Sequence, residues 1–326
     1  MKKNVVLFSK IPQAQQARLE DAFNLTIFNN DPDADNDGFI KALANADGMI
    51  GANMALKVDE NFLAKTPKLK AISTISVGFD NYDLNALNKR NIRLMNTPSV
   101  LTEGTADLIF TLLMATARRT VELSNLIHQG KWQKSITPEL YGTDVFGKTI
   151  GIIGMGRIGK AIAKRAYGGF DMDILYYNRS PQPDIEQKFS AKRCELDELL
   201  KRSDFIVTII PLTPQTYHLI NKAKLDLMKP TAILINGARG KVIDEKALIE
   251  ALQQKRIKAA GLDVFEVEPL PSDSPLLKLD NVLLSPHVGS ATTETCYAMA
   301  KCAVDNIISA LKPQKPTENW VNPEVL

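Results

Sequence analysis

The stretch Thr149-Ile-Gly-Ile-Ile-Gly-Met-Gly-Arg-Ile-Gly159 decides the fold. It reads as an apolar strand, a tight glycine turn and the start of a helix that continues through Lys160-Ala-Ile-Ala-Lys-Arg-Ala166. Gly154, Gly156 and Gly159 satisfy G-x-G-x-x-G: one glycine for the turn, one for close approach of a pyrophosphate, one for packing helix on strand. The helix N-terminus, with Met155, Arg157 and Ile158 in the turn, then presents amide groups and the positive end of the helix dipole to phosphates. A glycine turn alone also serves ordinary strand–helix joints; the flanks make this one a dinucleotide site. About 150 residues precede it, so another domain comes first.

Working outward, the segment from 149 to about 286 alternates strands with helix-like runs. Strands are expected at 149–154, 173–178, 205–211, 232–236, 260–264 and 282–285. The near-continuous apolar runs Phe205-Ile-Val-Thr-Ile-Ile210 and Ala232-Ile-Leu-Ile235 suit strands buried on both faces. Upstream, strands are expected at 5–9, 25–29, 48–51, 71–76 and 93–96, with helices between them at 13–22 and 38–44. Alternation of this kind predicts a parallel, helix-covered sheet. Between the two series a single long helix is expected from 101 to 129, apolar around much of its circumference. Such a helix is buried on more than one side, in a domain core or a subunit interface. A last helix, 292–311, precedes a tail carrying Pro313 and Pro316.

The totals narrow the function classes. The 326 residues suffice for two domains, and 44% hydrophobic with 24% charged residues is the composition of a globular protein. Lys+Arg 40 against Asp+Glu 37 gives a net charge of +3, which argues against nucleic acid as a partner. No apolar stretch reaches the roughly 18 residues of a membrane span, and the start, Met1-Lys-Lys-Asn-Val-Val-Leu-Phe8, reads as a first strand rather than a leader. Cys194, Cys296 and Cys302 have no metal-ligand spacing and cannot all pair, so no metal and a reducing, cytoplasmic setting are expected. Cys296 and Cys302 fall in a helical stretch and read as small buried residues.

Three segments place polar residues just beyond buried strands: Arg239 in Asn236-Gly-Ala-Arg-Gly240, Asp263 and Glu268 in Gly261-Leu-Asp-Val-Phe-Glu-Val-Glu-Pro269, and His287 in Leu284-Ser-Pro-His-Val-Gly-Ser290. Ligands of parallel sheets bind beyond the carboxyl ends of strands. Arg239 can clamp a carboxylate with its planar fork. His287 can exchange a proton with a carbonyl oxygen, and a carboxylate such as Glu268 on its other nitrogen would orient it. At the second strand of this series an NAD site usually ends in Asp or Glu, which binds the ribose 2′-hydroxyl. Here the strand ends in Asn178-Arg179-Ser180, where arginine and hydroxyl suit a 2′-phosphate.

Taken together and in order, Gly154-Met-Gly-Arg-Ile-Gly159, Asn236-Gly-Ala-Arg-Gly240, Ala260-Gly-Leu-Asp-Val-Phe265, Glu268-Pro-Leu270 and Ser285-Pro-His-Val-Gly-Ser290 resemble the D-isomer-specific 2-hydroxyacid dehydrogenase family. Ser73-Thr-Ile-Ser-Val-Gly-Phe-Asp-Asn81 and Asn96-Thr-Pro98 are similar to that family's substrate-domain segments. Ser73-Thr-Ile-Ser76, Tyr141-Gly-Thr-Asp144 and Cys302-Ala-Val-Asp-Asn306 point within it to the bacterial glyoxylate/hydroxypyruvate reductases that also reduce 2-ketogluconate.

The resemblance implies two doubly wound parallel-sheet domains: a Rossmann cofactor domain, 100–287, inserted into a flavodoxin-like substrate-binding domain, 1–99 with 288–326. It implies Arg239, Glu268 and His287 as catalytic residues. The Val77 and Gly78 amides are implied as substrate-carboxylate donors beside Arg239 and His287. It also puts Pro211, Ala238, Asp263 and Ser290 at the cofactor, alongside the glycine turn and residues 178–180. The expected activity is reduction of small 2-oxo acids to D-2-hydroxy acids, with NADP(H) preferred, NAD(H) possible, and a homodimer formed through the cofactor domain. Met54, Leu56 and Trp132 are candidates for shaping the substrate pocket. The competing reading is a dinucleotide-sensing interaction protein, since corepressors share the scaffold. Such relatives carry long extensions that this chain does not show. A short-form phosphoglycerate dehydrogenase is a second alternative.

Overall fold

The computed structural model describes residues 2–29, 31, 32, 35–53, 55–312 and 319–325; Met54, Pro313 and Pro316 lie outside them. The chain divides into two compact units, Met1–Leu101 with Ala291–Leu326, and Thr102–Ser290. The residues from His287 to Ser290 thus belong to the second unit.

The first unit is built on five parallel strands, β1 (Asn4–Leu7), β2 (Asn24–Ile27), β3 (Gly48–Gly51), β4 (Ala71–Thr74) and β5 (Arg93–Met95), in the order β2-β1-β3-β4-β5. Side chains alternate across the sheet. Val5 and Leu7 pack with Leu19, Ala303, Val304 and Ile307 on one face, Val6 and Phe8 with Phe39 on the other. The order reverses at β1/β3, as in flavodoxin-like sheets. Leu56 is part of this apolar core.

The second unit holds seven parallel strands, β6 (Thr149–Ile153), β7 (Asp173–Tyr177), β8 (Lys192–Arg193), β9 (Phe205–Thr208), β10 (Ile233–Asn236), β11 (Ala259–Leu262) and β12 (Val282–Leu284). Their order, β12-β11-β10-β9-β6-β7-β8, is that of a Rossmann sheet with one further strand at the far edge. The topological switch lies between β6 and β9, so the glycine turn leaves the sheet where its order reverses. Ile150 and Ile152 lie in the apolar layer that holds the helices Thr102–Ala117 and Arg157–Phe170, and Ile153, Ile206 and Leu234 lie in the opposite layer. β8 is two exposed charged residues, with no apolar pattern to announce it.

Two expectations need correction. The helix expected over 101–129 is two helices, Thr102–Ala117 and Thr120–His128, separated by Arg119 in the left-handed region at φ 54°. The Arg119 guanidinium closes on Glu122 through Nε at 2.8 Å and Nη2 at 2.7 Å, holding the break. The first helix buries Ile109, Leu112 and Leu113, whereas the second buries no residue at all. Cys296 is exposed and Cys302 half-buried rather than buried, and no disulfide joins any of the three cysteines. Among the described residues no helix is long and apolar enough to cross a membrane.

Candidate active site

The glycine turn owes its shape to sterics. Gly154 has φ +106°, where a side chain would be strained, and a Cβ there would lie 2.5 Å from the Ile209 carbonyl oxygen. A Cβ on Gly159 would lie 2.1 Å from the Gly154 carbonyl oxygen, so only glycine lets this helix sit against its strand. Gly156 is different: nothing lies within 4 Å of where its Cβ would be. It caps the helix Arg157–Phe170 without any side-chain hydrogen bond, which leaves the first-turn amides to an outside acceptor. Arg157 is exposed at that terminus and Ile158 half-buried.

The end of β7 adjoins this turn. Asn178 Oδ1 accepts from the buried Met155 amide at 3.3 Å, and Asn178 Nδ2 donates to the Ser180 carbonyl at 2.9 Å. Arg179 and Ser180 are exposed. Arg193 on β8 donates to the carbonyls of Asn178 and Arg179, at 3.2 and 3.3 Å. It brings a third guanidinium to the neighbourhood of Arg157 and Arg179. Sequence reading missed Arg193, because a two-residue strand of charged residues has no periodicity.

Arg239 stands in the turn after β10. Buried Asn236 shapes that turn: its Oδ1 accepts from Thr208 Oγ1 at 2.8 Å and the Ala238 amide at 3.1 Å, while Nδ2 donates to the Arg239 carbonyl at 3.0 Å. Arg239 Nη1 donates to the Ala238 carbonyl at 2.8 Å. A Cβ at Gly240 would fall 1.8 Å from the Phe265 carbonyl carbon, so the Arg239 turn packs backbone to backbone on the loop after β11.

That loop carries Asp263 and Glu268. Asp263 is buried, and its carboxylate accepts from Ser285 Oγ, the Val288 amide at 2.9 Å and the Gly289 amide at 2.9 Å. Three of about four acceptor positions therefore hold the His287 loop in place, which leaves at most one for a ligand. His287 itself has φ 53°, a left-handed conformation that turns the chain between Ser285 and those two amides. Its Nδ1 lies 2.7 Å from Glu268 Oε2, and Glu268 Oε1 accepts the Phe265 amide at 2.9 Å.

Burial alone would push the Glu268 carboxyl up. The hydrogen bonds from His287 and the Phe265 amide, with the charges of His287 and Arg239, outweigh it and hold the carboxyl below its usual range. An ionised carboxylate only accepts, so Nδ1 carries the proton and Nε2 is the imidazole nitrogen left for chemistry. Arg239, Glu268 and His287 are thus brought together from three consecutive strand ends. Pro211, beyond β9, is exposed, with its carbonyl accepting from Thr216 Oγ1 at 2.7 Å. Ser290 is half-buried at the end of the His287 loop.

Val77 and Gly78 belong to the first unit, in the loop after β4. Their carbonyls accept from Asn96 Nδ2 at 2.9 Å and Ser76 Oγ at 2.7 Å. Their amides donate to no group among the described residues. Trp132, in the second unit, is exposed. Among the described residues one group, His218, Asp244 and Glu266, offers possible metal-ligand atoms within 4.8 Å of one another. His218 Nε2 and Glu266 Oε1 already bond each other at 2.7 Å, and Asp244 Oδ1 caps a helix through the Ala247 amide at 3.0 Å.

Residues 110–289 match the model of the D-isomer specific 2-hydroxyacid dehydrogenase, NAD binding domain. The chain is 53% identical over 326 residues to glyoxylate/hydroxypyruvate reductase B of Serratia proteamaculans, covering 100% of this chain and 99% of that one. Among solved structures it is similar to a Thermus thermophilus protein with TM-score 0.88 and 39% identity, covering 98% of this chain and 99% of that chain. It also resembles the NADPH-dependent glyoxylate/hydroxypyruvate reductase of Sinorhizobium meliloti in complex with NADP and malonate (TM-score 0.87, 31% identity, covering 99% and 98%). The chain belongs to the D-isomer specific 2-hydroxyacid dehydrogenase family.

Proposed function

We propose that this protein is an NADPH-preferring reductase of small 2-oxo acids, glyoxylate and hydroxypyruvate foremost and 2-ketogluconate as a further candidate. The observation that carries the reading is the His287–Glu268 pair, with its imidazole Nε2 left for substrate, beside the Arg239 guanidinium. The first-turn amides at Gly156 and the open space above it suit a dinucleotide pyrophosphate. When bound, the nicotinamide supplies the hydride to the substrate carbonyl carbon. Arg239 holds the substrate carboxylate and polarises the adjacent carbonyl. His287 gives the carbonyl oxygen its proton from Nε2, and Glu268 stabilises the imidazolium that precedes the transfer. In the first unit, the Val77 and Gly78 amides are the proposed additional donors to the carboxylate. Asn178, Arg179 and Ser180, with Arg157 and Arg193, favour a 2′-phosphate over a bare 2′-hydroxyl, since no acid stands at the end of β7 to repel it. Pro211, Ala238, Asp263 and Ser290 complete the proposed cofactor contacts.

The reading is tested by the fall in nicotinamide absorbance on adding each of the three oxo acids, with both reduced cofactors. Turnover with none of them removes the reductase. Equal kcat/KM for NADPH and NADH removes the preference, whereas Arg179→Ala should raise KM for NADPH and leave that for NADH nearly unchanged.

The assembly proposed is a homodimer through the second unit, in a cytoplasmic setting that suits three cysteines outside any disulfide. Val121, Ile127, Trp132, Ile136, Tyr141 and Phe146 are all exposed within one stretch, the first two on the helix that buries nothing. A two-fold interface would cover them. Sedimentation at 36.0 kDa, the mass of one chain, at micromolar concentration would overturn it.

A further inference from the structure

Two residues before Glu268 the same loop carries a second glutamate facing a second histidine, and neither touches the proposed reacting groups. Glu266 Oε1 lies 2.7 Å from His218 Nε2 and accepts the Glu245 amide at 3.1 Å, while the Glu266 amide donates to Glu245 Oε2 at 3.1 Å. The two glutamates therefore clasp each other, carboxylate to amide in both directions. The clasp ties the loop after β11 to the first turn of the helix Glu245–Gln253. His218 adds a third attachment. It takes φ 48°, its ring stacks on Tyr217 at 4.0 Å between centroids, and its amide donates to the Lys241 carbonyl at 2.9 Å, two residues beyond Arg239.

The clasp bears on chemistry through one residue, Phe265. The amide of Glu266 is held by Glu245, and the preceding amide, of Phe265, is the one that holds Glu268 Oε1. The Phe265 carbonyl carbon is also where Gly240 packs, next to Arg239. Glu268 has two acceptor oxygens and uses one to read the position of this backbone and the other to hold His287. If the backbone swings, Oε2 moves with it. A displacement of about 1 Å in a positioned catalytic group costs on the order of 100-fold in rate.

We propose that Glu245, Glu266 and His218 are positioning residues that lock the loop between β11 and Glu268, so that Glu268 holds His287 in its Nδ1–H form opposite Arg239. The proposal rests on His287 being the proton donor, as read above. It assigns a mechanical role to a group that has the residue types of a metal site. The excess of carboxylates is absorbed there by backbone amides and one imidazole.

The test uses the histidine count. The chain has only three histidines, so ring-¹⁵N labelling gives three imidazole signals that single substitutions assign. At alkaline pH, where imidazoles are neutral, His287 should show Nδ1–H in the unmodified protein. In Glu266→Ala and in Glu245→Ala it should become a mixture dominated by Nε2–H. The same variants should lose about 10- to 100-fold in kcat for glyoxylate with NADPH, while KM for glyoxylate changes less than about 3-fold. Glu266→Gln keeps the carbonyl acceptor and should restore most of both. If Glu266→Ala does not fold, Glu245→Ala, which leaves Glu266 and His218 in contact, carries the measurement. Either alanine variant with kcat within about 3-fold and an unmoved His287 tautomer overturns the proposal. Failure of the underlying reading is separate: it shows as His287→Asn turning over normally.

Discussion

Glu268 and Glu266 stand two residues apart, each facing an imidazole at 2.7 Å, yet their other neighbours differ. Glu268 sees His287, the Phe265 amide and the charge of Arg239, all of which favour its ionised form. Glu266 sees His218 on one side and another carboxyl, Glu245, on the other; burial pushes that Glu245 carboxyl up, and the Glu266 charge adds to it. A histidine–glutamate pair is therefore no signature in itself. The chemistry proposed above goes with the pair whose neighbour is a guanidinium.

The sharpest way to break this contrast is to remove each imidazole in turn. His287→Asn should lower kcat by about 10²- to 10⁴-fold, the usual scale for losing a general acid, with the dissociation constant of NADPH nearly unchanged. His218→Asn should cost far less, about 10-fold or under, because it acts only through the loop. Equal losses in the two variants would erase the distinction between donor and support. Next in size is Arg239→Lys, which keeps the charge near Glu268 but loses the two-pronged geometry. A fall in kcat/KM for glyoxylate smaller than about threefold, or about 0.7 kcal/mol, would refute the clamp.

How much of this was legible in the sequence follows from what each feature depends on. The glycine turn was readable because sterics leave no alternative: the Gly159 position admits no Cβ. β9 and β10 were readable because strands covered on both faces must be apolar throughout. Arg239, Glu268 and His287 were placed by their position after such strands and by family resemblance. The break at Arg119 was not readable, since apolar residues continue on both sides of it and the left-handed turn is held by a side-chain fork to Glu122. Nor was the Glu245–Glu266–His218 clasp, whose members are 21 and 48 residues apart and follow no spacing rule. Asp263 was read as a cofactor contact, but most of its acceptor capacity goes to the His287 loop. Such roles depend on which amides and hydroxyls a carboxylate accepts, and no side-chain spacing encodes that.

A smaller effect distinguishes the two carboxyls by the pH dependence of stability, and here the signs must differ. Glu268 is held below its usual range in the folded protein. Its contribution is fully present above the unfolded value of about 4.3 and is lost as pH falls through the lowered folded value. Glu268→Gln cannot ionise, so the stability advantage of the unmodified protein over it should shrink toward acid. The same substitution should also move the acidic limb of the reductive pH–rate profile.

Glu245 is raised, first by burial and then by the Glu266 charge. Its contribution is fully present below about 4.3 and is lost as pH rises through the raised folded value. Glu245→Gln keeps an oxygen to accept the Glu266 amide but carries no charge. It should gain on the unmodified protein as pH rises, by at most about 0.5 kcal/mol, the scale of a partly exposed site. Melting curves of the three proteins between about pH 3 and pH 7 measure both slopes at once. Parallel slopes for the two variants would mean that Glu245 and Glu268 share one electrostatic environment, and the contrast between support and catalyst would lose its physical basis.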